Sequence, residues 1–181
     1  GFAEVLAEEK LTDEQKGYVA LILNNAKQLL LLINDILDFS RIEAGRMKVD
    51  RMECNISELL ANIGSLMRPA AIEKNLQFNI CCSPLVPKLI KTDTMKLRQC
   101  LINLVSNAIK FTESGKVDII VELVIIDSKP YIEFQVIDTG IGIAADKQDG
   151  IFEAFTQADG SMTRRYGGTG LGLAVTKQLI K

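Results

Sequence analysis

The sequence predicts an α+β fold: a two-layer α/β sandwich, with helices on one face of a mixed sheet, preceded by a helical hairpin. Three observations point to it. Over the first 45 of 181 residues apolar side chains recur only at helical spacing, whereas from Lys48 onward strand patterns alternate with amphipathic helices. Two of those strands follow one another across a tight turn, which places an antiparallel pair in the middle of a sheet. Finally, the helix expected over residues 96–112 carries Lys96, Gln99, Asn103, Asn107 and Lys110 in one stripe, opposite Leu97, Leu101, Leu104, Val105 and Ala108. Asn is a mediocre helix former, so two of them a turn apart mark that stripe as a candidate ligand face, although taken alone it also reads as a solvent-facing stripe.

A short helix through Glu9 comes first, without a cap, so the chain is expected to begin inside an element. Thr12-Asp13-Glu14-Gln15 is a capping-box pattern, in which the Thr hydroxyl and the Gln amide satisfy two otherwise unpaired N–H groups. The helix it opens is long. Ile22, Ala26, Leu29, Ile33, Ile36 and Ser40 recur at steps of four and three, and Leu23, Leu30 and Leu37 widen the stripe beyond a two-stranded seam. A hairpin cannot bury both flanks alone, so pairing with a second copy into a four-helix bundle is expected, with Gly45 ending the helix; the other reading is one long helix packed on its own domain. The domain boundary is placed there, dividing the chain into residues 1–45 and 46–181.

Met52 to Ile56 reads as an edge strand, and Ser57 as the cap of a helix running to about Glu73. Leu76 to Cys82 reads as a strand, and Pro84 and Pro87 break the stretch beyond it. Asp93 caps the polar-striped helix. Beyond Gly115, Val117, Ile119, Val121, Leu123 and Ile125 alternate as one strand face; after a turn from Asp127 to Pro130, Ile132, Phe134 and Val136 alternate as the next.

Composition excludes several functions. Hydrophobic residues make up 48% of the chain, enough for a core, and 21 basic against 23 acidic side chains argue against nucleic acid or an anionic membrane as the main partner. No apolar run reaches a membrane span, so no membrane contact is expected from this segment. There is no histidine at all, which removes His-based nucleophile activation, general-base catalysis and zinc ligation. Cys54, Cys81, Cys82 and Cys100 lack paired metal-site spacing and read as reduced cytosolic thiols.

Three further segments carry chemistry. Asp138-Thr139-Gly140-Ile141-Gly142-Ile143 ends a strand; its glycines let the backbone approach a flat ligand, and a carboxylate there can accept from an exocyclic amine, although Asp-x-Gly also reads as a simple turn. Phe152 and Phe155 read either as core or as the anchor of a lid. Tyr166-Gly167-Gly168-Thr169-Gly170-Leu171-Gly172-Leu173 runs into a helical pattern, so it offers unpaired N–H groups and the positive end of a helix dipole to phosphate, or else reads as a flexible surface loop. It is neither a Walker loop nor a dinucleotide fingerprint, lacking the Gly-Lys-Ser/Thr and the preceding strand.

In chain order the segments are Asn103…Asn107-Ala108-Ile109-Lys110-Phe111-Thr112, Asp138-x-Gly140-x-Gly142, Phe152-x-x-Phe155 and Gly168-x-Gly170-x-Gly172. Together they resemble the four boxes of the ATP-binding catalytic domain of sensor histidine kinases, within the GHKL superfamily. Asn34-Asp35-Ile36-Leu37-Asp38-Phe39-Ser40-Arg41-Ile42-Glu43-Ala44-Gly45 is similar to the end of that family's dimerization and phosphoacceptor hairpin, so the resemblance covers essentially the whole chain. It implies that Asn107 ligates Mg²⁺ with Asn103 beside it, and that Lys110 neutralises phosphate charge. It further implies that Asp138 reads the adenine amino group, that Gly140 and Gly142, with Ile143, admit the base, and that Gly168, Thr169, Gly170, Leu171 and Gly172 hold the phosphates. Arg164 or Arg165 would add a cationic contact from an ATP lid.

The implied reaction is transfer of the ATP γ-phosphoryl group to a histidine, and thence to the receiver domain of a response regulator, by a cytoplasmic homodimer joined through the hairpin. The family's acceptor histidine lies upstream of Gly1, so this chain is expected not to phosphorylate itself. The family also continues beyond Lys181 with further strands, so the sheet is expected to be incomplete; Ala144 stands where the family has proline. Two other readings are an ATPase of the superfamily's clamp class and a dimerization scaffold with an inactive nucleotide site. The first requires a glutamate on the Asn helix, where no Glu or Asp lies between Lys96 and Thr112; the intact boxes count against the second.

Overall fold

A computed structural model describes residues 1–7, 9–44, 47, 49–154 and 170–180. Its chain separates into two units, Gly1–Met47 and Lys48–Lys181. The first consists of helix α1 (Phe2–Ala7) and the 31-residue helix α2 (Asp13–Glu43). Both bonds of the capping box form: the Thr12 N–H donates to Gln15 Oε1 at 2.9 Å and the Gln15 N–H to Thr12 Oγ1 at 3.3 Å. Along α2, Leu21, Ile22, Leu29, Leu30, Ile33, Ile36 and Leu37 remain between 44% and 60% exposed. Gly45, the expected stop, lies outside the described residues. No helix among the described residues is long and apolar enough to cross a membrane.

The second unit runs β1 (Met52–Asn55), α3 (Ile56–Glu73), β2 (Gln77–Cys82), β3 (Leu89–Thr92), α4 (Thr94–Phe111), β4 (Lys116–Ile126), β5 (Lys129–Asp138) and α5 (Gly172–Leu179), with 3₁₀ turns at Ala145–Lys147 and Gly150–Phe152 before α5. Its larger sheet is mixed, in the order β2-β4-β5, with β2 parallel and β5 antiparallel to β4. The hairpin pair therefore does not fill the middle of the sheet: β4 is central and β5 lies at the edge among the described strands. A separate two-stranded sheet pairs β1 with β3, a strand the sequence pattern did not reveal.

Period-2 alternation sends Val117, Ile119 and Val121 of β4 and Phe78 of β2 to one face, where they meet Leu59, Leu60 and Ile63 of α3 and Leu101, Val105 and Ile109 of α4 in one buried core. Two local expectations are corrected. Asn55, not Ser57, caps α3: its Oδ1 accepts from the Glu58 N–H at 3.3 Å, and the helix begins at Ile56. The β4–β5 turn is the two-residue Asp127-Ser128, both with positive φ (49° and 60°), so Pro130 lies within β5. An edge strand tolerates that proline because an N–H facing outward has no ladder partner to lose.

Candidate functional site

Helix α4 is fixed at both ends. At its start Asp93 accepts from the Lys96 N–H through Oδ1 at 3.1 Å and from the Asp50 N–H through Oδ2 at 3.0 Å, while the Lys96 ammonium stands 3.4 Å away. Burial pushes the Asp93 carboxyl up, but those hydrogen bonds and the Lys96 charge outweigh it and hold it below the usual carboxylate value.

A helix end leaves its last carbonyls without intrahelical donors, and here each finds one. Ala108 O accepts from the Thr112 N–H at 3.1 Å and from Thr112 Oγ1 at 2.7 Å, with Thr112 fully buried. Lys74, reaching over from the end of α3, donates from Nζ to Ile109 O at 2.8 Å, Lys110 O at 2.7 Å and Thr112 O at 3.3 Å. Phe111 O accepts from the Ile141 N–H at 3.3 Å.

That last bond docks the Asp138–Gly142 segment on the end of α4. Asp138 leaves β5 exposed, with Oδ1 accepting from the Gly140 N–H at 2.8 Å, so it does form the turn its sequence suggests. Thr139 ties the segment to β4: its N–H donates to Lys116 O at 3.2 Å, and its Oγ1 accepts from the Lys116 N–H at 3.0 Å. The two glycines serve different ends. A Cβ on Gly140 would stand 2.5 Å from Phe111 O and 2.9 Å from Asp138 Oδ1, whereas Gly142 faces open space but takes φ +67°. Ile141 and Ile143 are 60% and 46% exposed beside them.

On the polar stripe Asn103, Asn107 and Lys110 are all half-buried. Asn103 Nδ2 donates to Gly172 O at 3.3 Å and lies 3.5 Å from Thr176 Oγ1, which joins α4 to the first turn of α5. Leu171, fully buried, and Val175 anchor that turn, and Gly170 before it takes φ +70°. Lys110 Nζ sits 4.8 Å from the centroid of the Phe111 ring, and burial pulls its pKa below the ordinary lysine value. Lys177 of α5 covers Phe152 at 5.2 Å. The structure thus sets Asn103 against Gly172, with Asn107 and Lys110 half-buried on the same stripe of α4, and seats Asp138, Gly140, Gly142 and Ile143 at the end of that helix. Arg164, Gly168, Thr169 and Phe155 lie outside the described residues.

Among the described residues no group of three or more Cys, Asp or Glu side chains could hold a metal by itself. Mg²⁺ needs no such cage when phosphates and waters complete its shell, so neutral amide oxygens on α4 suit it. A separate open cleft of about 570 Å³, lined by Arg68, Asn79, Cys81, Lys116 and Asp118 among others, lies along β2 and β4 and includes none of these segments. Of the residues that shape the site, Lys74 escaped the sequence reading, because its acceptors lie 35 to 38 positions away and leave no local pattern.

Among the described residues, helix α4 thus joins the Asp138–Gly142 turn and the start of α5 in one assembly. Residues 92–181 match the family described as histidine kinase-, DNA gyrase B-, and HSP90-like ATPase, and residues 1–45 match the His Kinase A (phospho-acceptor) domain. The chain belongs to the sensor histidine kinases. It is 40% identical over 181 residues to the signal transduction histidine-protein kinase BarA of Escherichia coli (strain K12), covering 99% of this chain and 20% of that protein. It is 41% identical over 183 residues to the sensory/regulatory protein RpfC of Xanthomonas campestris pv. campestris, covering all of this chain and 25% of that one. The crystal structure of full-length ShkA in complex with AMPPNP matches with a TM-score of 0.79 and 38% identity, over 98% of this chain and 36% of ShkA. The chain therefore spans only about a fifth to a quarter of the length of these two curated relatives.

Proposed function

We propose that residues 46–181 bind Mg²⁺–ATP as the catalytic part of a two-component sensor histidine kinase, and that residues 1–45 join two copies. The reaction would move the γ-phosphoryl group to a histidine that this chain does not contain, and from there to the receiver domain of a response regulator. The observation that carries this reading is the half-buried Asn103–Asn107–Lys110 stripe, held by Asn103 against the N-terminus of α5. The AMPPNP held by ShkA, an ATP analogue, supports the choice of nucleotide.

Phosphoryl transfer asks little covalent chemistry of the protein, so positioning and charge neutralisation dominate. Asn107 would hold Mg²⁺ through its side-chain oxygen, with Asn103 beside it bracing α5. When bound, the ion supplies charge neutralisation on the phosphates. Lys110 adds a second positive charge on the same stripe. Asp138, with Oδ1 engaged by Gly140, offers its other oxygen to the adenine amino group, and Gly140, Gly142 and Ile143 form the floor on which the base lies. Backbone N–H groups at the start of α5, from Gly170 to Gly172, would hold the phosphates, and Gly168, Thr169 and Arg164 would add further phosphate contacts. Homodimerization through α2 is supported by its exposed apolar flanks, which a monomer would leave in water.

Calorimetric titration with ATP and GTP, with and without Mg²⁺, tests the reading. Wild-type protein should bind ATP in a Mg²⁺-dependent manner and prefer it to GTP. Asn107→Ala should lose the Mg²⁺ dependence, and Asp138→Asn should narrow the preference for adenine. Equal binding of GTP by the wild-type chain would remove the role given to Asp138.

A further inference from the structure

The end of α3 is built to aim one side chain. Its last turn closes with the Asn75 N–H on Ile72 O at 2.9 Å and the Leu76 N–H on Ala71 O at 2.9 Å, and Asn75 takes φ +56°. This pair of hydrogen bonds around a left-handed residue fixes the backbone of Lys74 immediately before it. The buried Leu76 and Ala71 lock the same turn into the core. From that rigid base Lys74 extends to the far end of α4, where all three ammonium protons have a carbonyl within reach: Ile109 O at 2.8 Å, Lys110 O at 2.7 Å and Thr112 O at 3.3 Å. A cation at a helix C-terminus also meets the negative end of the macrodipole, and charge-assisted bonds are the stronger kind.

Within that run of carbonyls, Phe111 O receives the Ile141 N–H of the glycine turn at 3.3 Å. One short stretch of backbone, residues 109–112, is therefore gripped from one side by Lys74 and from the other by the Asp138–Gly142 segment. Asn107 lies two residues before it on the same helix. We infer that Lys74 is a positioning residue for the nucleotide site: by clamping the end of α4 it sets the distance between the metal-ligating Asn107 and the adenine-reading Asp138. The inference rests on the nucleotide-binding reading given above. Lys74 itself touches neither the metal nor the base; it acts through the backbone that carries both halves of the site.

Two variants of the full chain test it. Lys74→Met keeps the length of the arm and removes its donors and charge, whereas Lys74→Arg keeps both. Lys74→Met should weaken Mg²⁺–ATP binding about tenfold, the low end of what outer-shell groups contribute at metal sites. It should also shrink the gain in ATP affinity that Mg²⁺ confers, and Lys74→Arg should restore most of both. In the nucleotide-free protein the Ile141 amide should exchange with deuterium faster in Lys74→Met than in wild type, because its acceptor sits on a loosened helix end. The inference is overturned if folded Lys74→Met binds with unchanged affinity and unchanged Mg²⁺ gain, or if it loses ATP affinity equally with and without the ion. Failure of both variants to fold would make Lys74 a residue of general stability and overturn it too. A wild-type chain that binds no nucleotide would sink the functional reading alone; unchanged exchange at Ile141 in Lys74→Met would then separately sink the clamp.

Discussion

Helices α2 and α4 are both amphipathic and both leave one face open, but the open faces differ in kind. On α2 it is apolar, with Leu29 57% and Leu30 60% exposed, whereas on α4 the apolar face is buried and the open stripe holds Asn103, Asn107 and Lys110. Water penalises the first arrangement and tolerates the second, so the two faces call for different partners. An apolar face is covered best by another apolar face, as a second copy would supply. A stripe of amides and one lysine attracts a small anionic ligand with its metal. α4 has every carbonyl from Ala108 to Thr112 paired and a charged cap at its start, as suits a helix that must hold side chains in place.

The contrast is broken most directly on α2. A dimer that buries Leu37 loses about 2 kcal/mol for each copy that carries Leu37→Glu. Two copies therefore weaken association by roughly a thousandfold before the cost of burying the charge is counted. Light scattering should report half the wild-type mass at micromolar concentration, while calorimetry shows ATP affinity unchanged. A dimer that survives with weakened nucleotide binding would reverse the assignment of partners to the two faces.

On α4 the corresponding break is made at the glycine turn, and the two glycines should respond unequally. Gly140→Ala places a methyl 2.5 Å from Phe111 O, a backbone atom that moves only if the helix end moves. Overpacking of that kind costs about 1–3 kcal/mol and should disrupt the Ile141–Phe111 bond, lowering both the melting temperature and nucleotide affinity. Gly142→Ala meets no neighbour, and its cost is the left-handed backbone alone, about 1 kcal/mol. Equal losses at the two positions would show that close approach to α4 is not what Gly140 provides.

What was legible in the sequence was local. The expected span of residues 96–112 falls within two residues of α4 at each end because Asp93 and the apolar stripe signal within a few positions. The alternation of β4 and β5 was visible for the same reason. Strand β3 was not: it is four residues long, comes after two prolines, and exists because Lys91 and Ile90 pair with Glu53 and Cys54 far upstream. The cap of α3 was misplaced by two residues because Asn55 and Ser57 are both good caps, and only the β1 strand running up to Asn55 decides between them. In the site the motif residues stood out by type and spacing. The bonds that assemble them, Lys74 to the end of α4, Ile141 to Phe111 and Asn103 to Gly172, join positions 30 to 69 apart and leave no periodic trace.

The smallest effect separates the caps of the two helices. Asp93, at the start of α4, has a folded-state pKa below its ordinary value of 3.8. A carboxyl shifted down contributes stability that is fully present above the unfolded value and is lost as pH falls through the folded one. Asp93→Ala should therefore cost about 1 kcal/mol near neutral pH, the usual worth of an N-cap. That difference from wild type should hold down to about pH 4 and close below it as the wild-type carboxylate takes up its proton. Thr12, which caps α2 with its hydroxyl, has no charge to lose, and its partner Gln15 has none either. The deficit of Thr12→Ala should stay flat over the same range in thermal melts. If the Asp93→Ala deficit also stayed flat down to pH 2, the carboxylate's charge would not be what secures the start of α4, and the Asp50 and Lys96 bonds would have to hold as well to the protonated acid.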